Sequence, residues 1–545
     1  MGKKGIDRRD FLKYVMGSAG LLALDWNSLP RRVEALTKEN EYDAVIIGSG
    51  LGGLSCAAAF ARQGFKALVL EQHDKPGGYA TAFQRPGGFS FDVSLHSTVI
   101  EERNGLHNLI PGFPEITEVE FVPHPSLYRV IYPDYDITVP QRDPKAYTAK
   151  LVSLFPEEKD GIEGIMSDMQ GLLDEVQKMS RANGQIDMER FAVDYPLMSR
   201  LYNRTWKDML DARLKDEKLR AIVSAQWAYY GLPPSSLVSF YYAIPAIGYL
   251  TGGGYYPIGR SQKISDALTR YIELNGGRVM LGTRVGRILT GDHAAYGVRT
   301  SEGENFKSRV VVSNANPFDT LRNLTDEEEY LSTYLDQLDH YSVSLSSFQI
   351  FLGLKEDLVG KSGIKDSEIF YETGYDMEEG YLAARRGEIG TNGYALTLYD
   401  NIYKGYSPQG KNTVNITTFT GYDYWKKFEA AYFAGDKGEY RKEKERLAGI
   451  LIDKVERTLL PGLSGAIEVE EIGTPLTNVR YTSNYRGAIY GLDQTVDNSG
   501  PSRLGHDTPI ENLYLAGAWT KPGHGYGSVL SSGVECFGEI MQKWG

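Results

Sequence analysis

The sequence predicts an α/β fold: a discontinuous parallel-sheet domain that binds a dinucleotide, interrupted by an inserted α+β substrate domain. Three stretches predict it: a complete βαβ unit from Glu41 to Glu71, a run of short strand patterns between Gly252 and Pro317, and a buried strand with a glycine-rich loop near the C-terminus.

The first stretch reads EYDAVIIGSGLGGLSCAAAFARQGFKALVLE. An apolar strand, Ala44 to Ile47, runs into Gly48, Gly50 and Gly53 at G-x-G-x-x-G spacing. Glycines there allow a tight turn, close approach of the backbone to a pyrophosphate, and packing of the next helix on the sheet. Leu51, Leu54, Ala58 and Ala61 recur at three- and four-residue steps before Gly64, so the helix they form turns its free N-terminal amides toward the phosphates. A second strand, Ala67 to Leu70, delivers Glu71, 18 residues after Gly53. That is close to the ~20 expected of a carboxylate that accepts hydrogen bonds from a ribose diol. Strand, turn, helix, strand and acid in this order make a Rossmann-like unit, where a glycine-rich turn alone would not.

After Glu71, Gly77 and Gly78 form a second close-approach turn, and Gly87-Gly88 a hairpin before Phe89 to Val93. In the second stretch Ser261 is placed to cap a helix with Ile264, Leu268 and Ile272 on one face, ended by Gly276-Gly277. Short strands around Arg278 to Leu281, Val285 to Leu289, Tyr296 to Thr300 and Val310 to Val312 read as a small antiparallel layer that returns to the sheet. The third stretch is Leu513 to Leu515 with AGAWTKPGHGYGSVLSSGVECFGEI after it. The nucleotide domain is thus expected in three parts, 41–140, 251–320 and 471–545, with substrate-domain inserts at 141–250 and 321–470. From Ala221 to Gly259 there is no Asp, Glu, Lys or Arg, but there are nine Trp, Tyr and Phe residues. Pro233, Pro234, Pro245 and Gly252 to Gly254 exclude a single spanning helix there. The stretch is either buried core or the wall of a long apolar pocket.

A chain of 545 residues, 41% hydrophobic and 24% charged, has the composition of an ordinary globular protein. Its net charge of −12 opposes nucleic-acid binding and bulk attraction to an anionic membrane surface. With only Cys56 and Cys536, and eight histidines lacking H-x-x-x-H spacing, neither a disulfide framework nor a metal centre is expected. Residues 1–35 read as an export leader: Lys3, Lys4, Arg8 and Arg9 precede Phe11, Leu12 and a short apolar stretch from Tyr14 to Leu24. DRRDFLK resembles the twin-arginine signal. That pathway carries folded proteins, as a protein loaded with a cytoplasmic cofactor requires. The expected location is therefore the periplasm or the outer face of the cytoplasmic membrane, with a peripheral membrane contact.

GGYATAFQRPGGFSFDVSLH, YYPIGRSQKISDAL, VVVSNANP and LYLAGAWTKPGHGYGSVLSSG, taken with the βαβ unit, resemble the phytoene desaturase, carotenoid isomerase and retinol saturase group of the amine-oxidase-like flavoproteins. The resemblance runs from about Tyr42 to Ile540 and implies FAD. By position it implies that Gly48, Ser49, Gly50, Gly52 and Gly53 wrap the pyrophosphate and Glu71 holds the adenosine ribose. It further implies that Gly78, Ala80 and Thr81 pass near the flavin, that the Val285 backbone meets the adenine, and that Gly517, Ala518, Gly527, Ser528 and Val529 lie under the ribityl chain and ring. Two departures from the group's pattern, Arg260 after Gly259 and Ser94 in place of glycine, are expected near the pocket. His96 and His524 are candidate catalytic helpers, or hydrogen-bonded structural residues. The implied activity is redox or isomerisation chemistry on carbon–carbon double bonds of an apolar isoprenoid or carotenoid-like lipid. A flavin amine oxidase and a non-enzymatic prenyl-lipid escort protein stand as alternatives. With one dinucleotide fingerprint, taken by FAD, electrons are expected to pass to or from a quinone or redox protein, not NADH or NADPH.

Overall fold

The computed structural model describes residues 26, 29–30, 40–100, 119–181, 186–187 and 189–544. Two seven-stranded sheets organise it. In the first, Glu41–Ile47 lies at the centre, parallel to Asn305–Ser313 on one side and Ala67–Leu70 on the other. Leu513–Leu515 adds parallel to Asn305–Ser313. The helix Leu51–Arg62, buried on nearly every residue, packs between this sheet and the C-terminal helix Tyr526–Trp544. Cys56 and Cys536 meet in that interface as buried free thiols.

The small antiparallel layer is Val285–Gly291, Ala294–Thr300 and the outer end of Asn305–Ser313. Arg278–Met280 does not belong to it. That strand pairs parallel with Ala67–Leu70 and forms the sheet edge, because the helix Gln262–Leu274 before it supplies the crossover that a parallel strand needs. Ser261 precedes this helix but does not cap it with its side chain. Its Oγ and N–H both donate to Asp92, at 2.9 and 2.8 Å.

The second sheet runs Ile467–Gly473, Ser346–Leu354, Asn412–Thr420, Tyr394–Thr397, Glu368–Tyr371, Tyr128–Ile131 and Asp136–Val139. The last two strands fall before residue 140, so the chain leaves the nucleotide domain earlier than composition suggests. Pleating divides the central strands cleanly. Ile350, Ile369, Leu396 and Ile416 enter one core with the helix Gly438–Thr458, while Phe370, Ala395, Thr417 and Gln349 form a cross-strand row on the opposite face. Over that face lies the helix Ser239–Gly252. Its Tyr242, Ala243, Ala246, Ile247 and Leu250 are buried in a core built mostly of helices, and Tyr241, Ile244, Pro245, Gly248 and Tyr249 on its other side are half-buried, so no residue of this helix is fully exposed.

Most of the expected leader lies outside the described residues. Trp26, inside it, stacks on Phe537 at 5.8 Å beneath the Arg62 guanidinium, and its carbonyl accepts from Gln63 Nε2 at 2.9 Å.

Candidate active site

The three parts of the nucleotide domain meet at Asn314. Its N–H donates to the Ile47 carbonyl at 2.8 Å, and its side chain fills the space beneath the first glycine turn. A Cβ added at Gly50, Gly52 or Gly517 would lie 2.5, 2.7 or 2.5 Å from the Asn314 amide. One added at Gly53 would lie 2.2 Å from the Gly48 carbonyl oxygen. Only glycine lets the turn, the helix and the C-terminal loop approach this closely. Gly50 opens the helix with no side-chain cap, so its first amides are left for an anion.

A cavity of about 1160 Å³ begins at this turn. Gly48, Gly50, Glu71, Gly78, Ala80 and Val285 line its nucleotide end, and Ala518, Gly527, Ser528 and Val529 face it from the C-terminal loop and helix start. Ser49, Gly52, Gly53, Thr81 and Gly517 stand directly behind. Ser49 donates from N and Oγ to Glu71 Oε2, both at 2.7 Å, and the His73 N–H donates to Oε1 at 2.9 Å, so Glu71 is held at the cavity wall. The Thr81 hydroxyl donates to the Gly78 carbonyl. Glycine close approach, free helix amides and a fixed carboxylate fit a dinucleotide, which these residues would hold. The resemblance stretch VVVSNANP contained Asn314, but its part as the packing post for Gly50, Gly52 and Gly517 needed coordinates.

Beyond the nucleotide end the cavity runs between two unlike surfaces. Tyr241, Ile244, Pro245, Gly248 and Tyr249, spaced along one face of Ser239–Gly252, form the roof. Phe370, Ala395, Thr417 and Gln349 form the floor. An ordinary ligand pocket is ~300–1,000 Å³, and this one, at about 1160 Å³, is larger and continues past the nucleotide end. Both readings of the uncharged stretch hold at once: one helix face is core and the other is wall.

The structure brings His96 and His524 to the same residue, one to its ring and the other to its backbone. The His96 ring stacks on Tyr229, centroids 6.4 Å apart, and His524 Nε2 is 3.3 Å from the Tyr229 carbonyl. Both line the cavity. Burial pushes His96 down to about 4 and His524 down to about 3, so both are neutral imidazoles at neutral pH. His96 Nδ1 sits 2.7 Å from Thr397 Oγ1, which is 3.0 Å from Glu368 Oε2. Sequence reasoning missed Thr397 and Glu368, which lie some 300 residues from His96.

Of the two departures from the group's pattern, Ser94 lines the cavity and donates to the Tyr79 carbonyl at 2.9 Å. Arg260 does not reach it. Its guanidinium is buried over the rings of Tyr399 and Tyr406, 4.5 and 4.2 Å from their centroids. Behind Ser94, the buried Asp92 accepts from the N–H groups of Ser94 and Leu95 and from the Tyr256 hydroxyl, at 3.1, 3.0 and 2.7 Å, and so fixes the segment that carries His96.

Residues 51–536 match the family described as "Flavin containing amine oxidoreductase". Among curated relatives, prolycopene isomerase 1 of an Oncidium hybrid cultivar is 26% identical over 93% of this chain and 84% of its own. All-trans-retinol 13,14-reductase of Danio rerio is 27% identical over 92% and 86%, and the neurosporene-forming phytoene desaturase of Rhodobacter capsulatus is 27% identical over 90% and 92%. Two solved structures share the fold: an oxidoreductase from Methanosarcina mazei (TM-score 0.57, 18% identity, 92% of this chain and 100% of that one) and cyclohexylamine oxidase from Brevibacterium oxydans (0.57, 16%, 92% and 99%). With the cradle, the cavity and these matches together, the chain belongs to the flavin-containing amine oxidoreductase family and is an FAD-dependent oxidoreductase.

Proposed function

We propose that this protein acts on carbon–carbon double bonds of a long, apolar isoprenoid or carotenoid-like lipid by desaturation, saturation or isomerisation. The observation that carries the reading is the roof of the cavity: five uncharged residues of one helix face, running away from the flavin cradle. FAD supplies hydride exchange at a ring nitrogen. The residues around it fix a chain in place and exclude water, which is most of what an unactivated polyene requires. The relatives whose names carry a polyene substrate support the same class.

An amine substrate is disfavoured by the acids at the far end of the cavity. Glu379 and Glu388 are both ion-paired with Arg386, at 2.6 Å, and burial pushes the Glu372 carboxyl up to about 7. The remaining acid among the described residues at that end, Asp376, caps the helix Met377–Arg386 and accepts from the Glu379 N–H at 3.0 Å, so these acids are engaged by the protein itself. The test is to incubate the flavoprotein with prolycopene, phytoene or all-trans-retinol and follow isomerisation or mass changes of two units. Anaerobic mixing with NADPH should leave the flavin oxidised, as expected if a quinone or redox protein is the electron partner. Rapid flavin reduction by hydrophilic amines, with polyenes inert, would transfer the assignment to amine oxidation.

The same reading places the folded holoprotein outside the cytoplasm through the twin-arginine machinery, on the strength of Arg8, Arg9, Phe11 and Leu12, which lie outside the described residues. Changing both arginines to lysine is expected to leave active flavoprotein in the cytoplasmic fraction. Wild-type protein found there as well would refute the export assignment.

A further inference from the structure

We propose that Gln349 and Thr417 form a hydrogen-bonding subsite on the cavity floor for a neutral oxygen-bearing head group, so that a ligand held beneath the roof is an isoprenoid with a carbonyl or hydroxyl end rather than a bare hydrocarbon. The proposal rests on the FAD and apolar-lipid reading above.

Strand register builds the subsite. Gln349 and Thr417 are directly opposed cross-strand partners on the cavity face of the second sheet. Residues so opposed have Cβ atoms about 4.5–5.5 Å apart, close enough for one ligand oxygen to meet both side chains. The row continues with Ala395, opposite Thr417, and Phe370, opposite Ala395. The floor is therefore split, with a carboxamide and a hydroxyl on the strands Ser346–Leu354 and Asn412–Thr420 and a methyl group and a phenyl ring on the next two. Beyond Phe370 the wall continues with Tyr132, Leu173 and Tyr375. An oxygen held at Gln349 and Thr417 leaves its tail over Ala395 and Phe370, beneath the uncharged roof.

Neither of the two side chains is spent on the protein. The hydroxyls of Ser94, Tyr229, Tyr241, Tyr249, Thr418 and Tyr490, all on the cavity wall, each donate to a protein acceptor. Those of Ser97 and Tyr230 lack a partner but are sealed from solvent. Gln349 and Thr417 are half-buried, and among the described residues no hydrogen bond engages either side chain. A carboxamide offers two donors and an acceptor, and a hydroxyl offers one donor and an acceptor, a set that matches a ketone, a quinone carbonyl or an alcohol. A hydrocarbon laid over the pair would strip its hydration and return no hydrogen bond. A carboxylate or ammonium head would be buried in a row that holds no opposite charge. The neutral oxygen head is the one that the row satisfies.

Two kinds of molecule carry such an end on an isoprenoid tail: an oxygenated polyene substrate, and a lipid quinone that exchanges electrons with the flavin. The experiment separates them. Dissociation constants of the oxidised holoprotein for all-trans-retinol, ubiquinone-1 and prolycopene are read from the perturbation of flavin absorbance, with prolycopene, a hydrocarbon, as the reference. In Gln349→Leu and in Thr417→Val the Kd for an oxygenated probe should rise about 10-fold more than that for prolycopene, as the loss of one hydrogen bond requires. Thr417→Ser, which keeps the hydroxyl, should restore most of the affinity, and flavin content and melting temperature show that each variant is folded. A rise for retinol alone identifies the substrate as the source of the head group, and a rise for ubiquinone-1 alone identifies the quinone; either supports the subsite. Kd values for retinol and ubiquinone-1 that move no more than that for prolycopene would overturn the subsite and leave the lipid reading standing. Wild-type holoprotein that binds neither retinol nor prolycopene would overturn the lipid reading instead, even where ubiquinone-1 still responds to the two variants.

Discussion

Gly53→Ala is expected to give a protein that purifies without flavin. The added Cβ would meet the Gly48 carbonyl oxygen at 2.2 Å and lie 3.1 Å from Asn314 Cβ and 3.2 Å from Ile46 Cγ2. None of these can swing aside: the first is backbone, and the other two belong to the central strand and to the residue that holds the cradle together. The turn must therefore back away from the helix, and the amides that face the pyrophosphate leave their positions. Strain of this kind costs about 1–3 kcal/mol. At the upper figure FAD binding falls about 100-fold, since each ~1.4 kcal/mol is a factor of ten. Flavin released on denaturation, per mole of protein, measures it. Glu71→Gln separates binding from folding, because it keeps the side-chain shape but removes the anionic acceptor held by Ser49 and His73. That variant should fold and still lose FAD. A fully yellow Gly53→Ala protein would show that the pyrophosphate does not sit at this turn.

The nucleotide-binding unit was legible because its constraints are local. A strand, a glycine spacing and a helix period lie within 31 residues, and the observed elements Glu41–Ile47, Leu51–Arg62 and Ala67–Leu70 follow the pattern closely. The hairpin at Gly87-Gly88 was legible for the same reason. What failed was long-range. Arg278–Met280 has the composition of any short edge strand, and only the helix before it decides that it runs parallel. Ser261 carries a good capping residue's side chain but lies beside a buried carboxylate, and Asp92 outcompetes the helix amides for its hydroxyl. Arg260 looked like a pocket residue because it neighbours pocket segments in sequence, yet a positive φ of 74° turns it into a box of tyrosines. The row Glu368, Thr397, His96 joins three segments whose sequences say nothing of one another; only the register of the second sheet aligns them.

Ile244→Asp is expected to abolish turnover of polyenes while leaving FAD in place. Ile244 stands on the roof, on the same helix face as Tyr241 and Tyr249, and packs against the helical core as well as the cavity. Ser239–Gly252 carries no charged residue, and the cavity face opposite it offers Phe370, Ala395 and Thr417, none able to pair with a carboxylate. An aspartate there must either stay charged and hydrated, filling the path of an apolar chain with water, or take up a proton at a cost of several kcal/mol in the apolar setting. Either outcome lowers kcat/KM for prolycopene or all-trans-retinol by 100-fold or more, by the ~1.4 kcal/mol per decade of rate. The flavin cradle is built from other elements, so flavin content should match wild type. Ile244→Val, which removes one methylene, should change kcat/KM only a few-fold and thereby exclude a mere loss of packing. Unchanged polyene turnover in Ile244→Asp would mean that the lipid does not run beneath this helix, and the substrate would have to be sought at another face of the flavin.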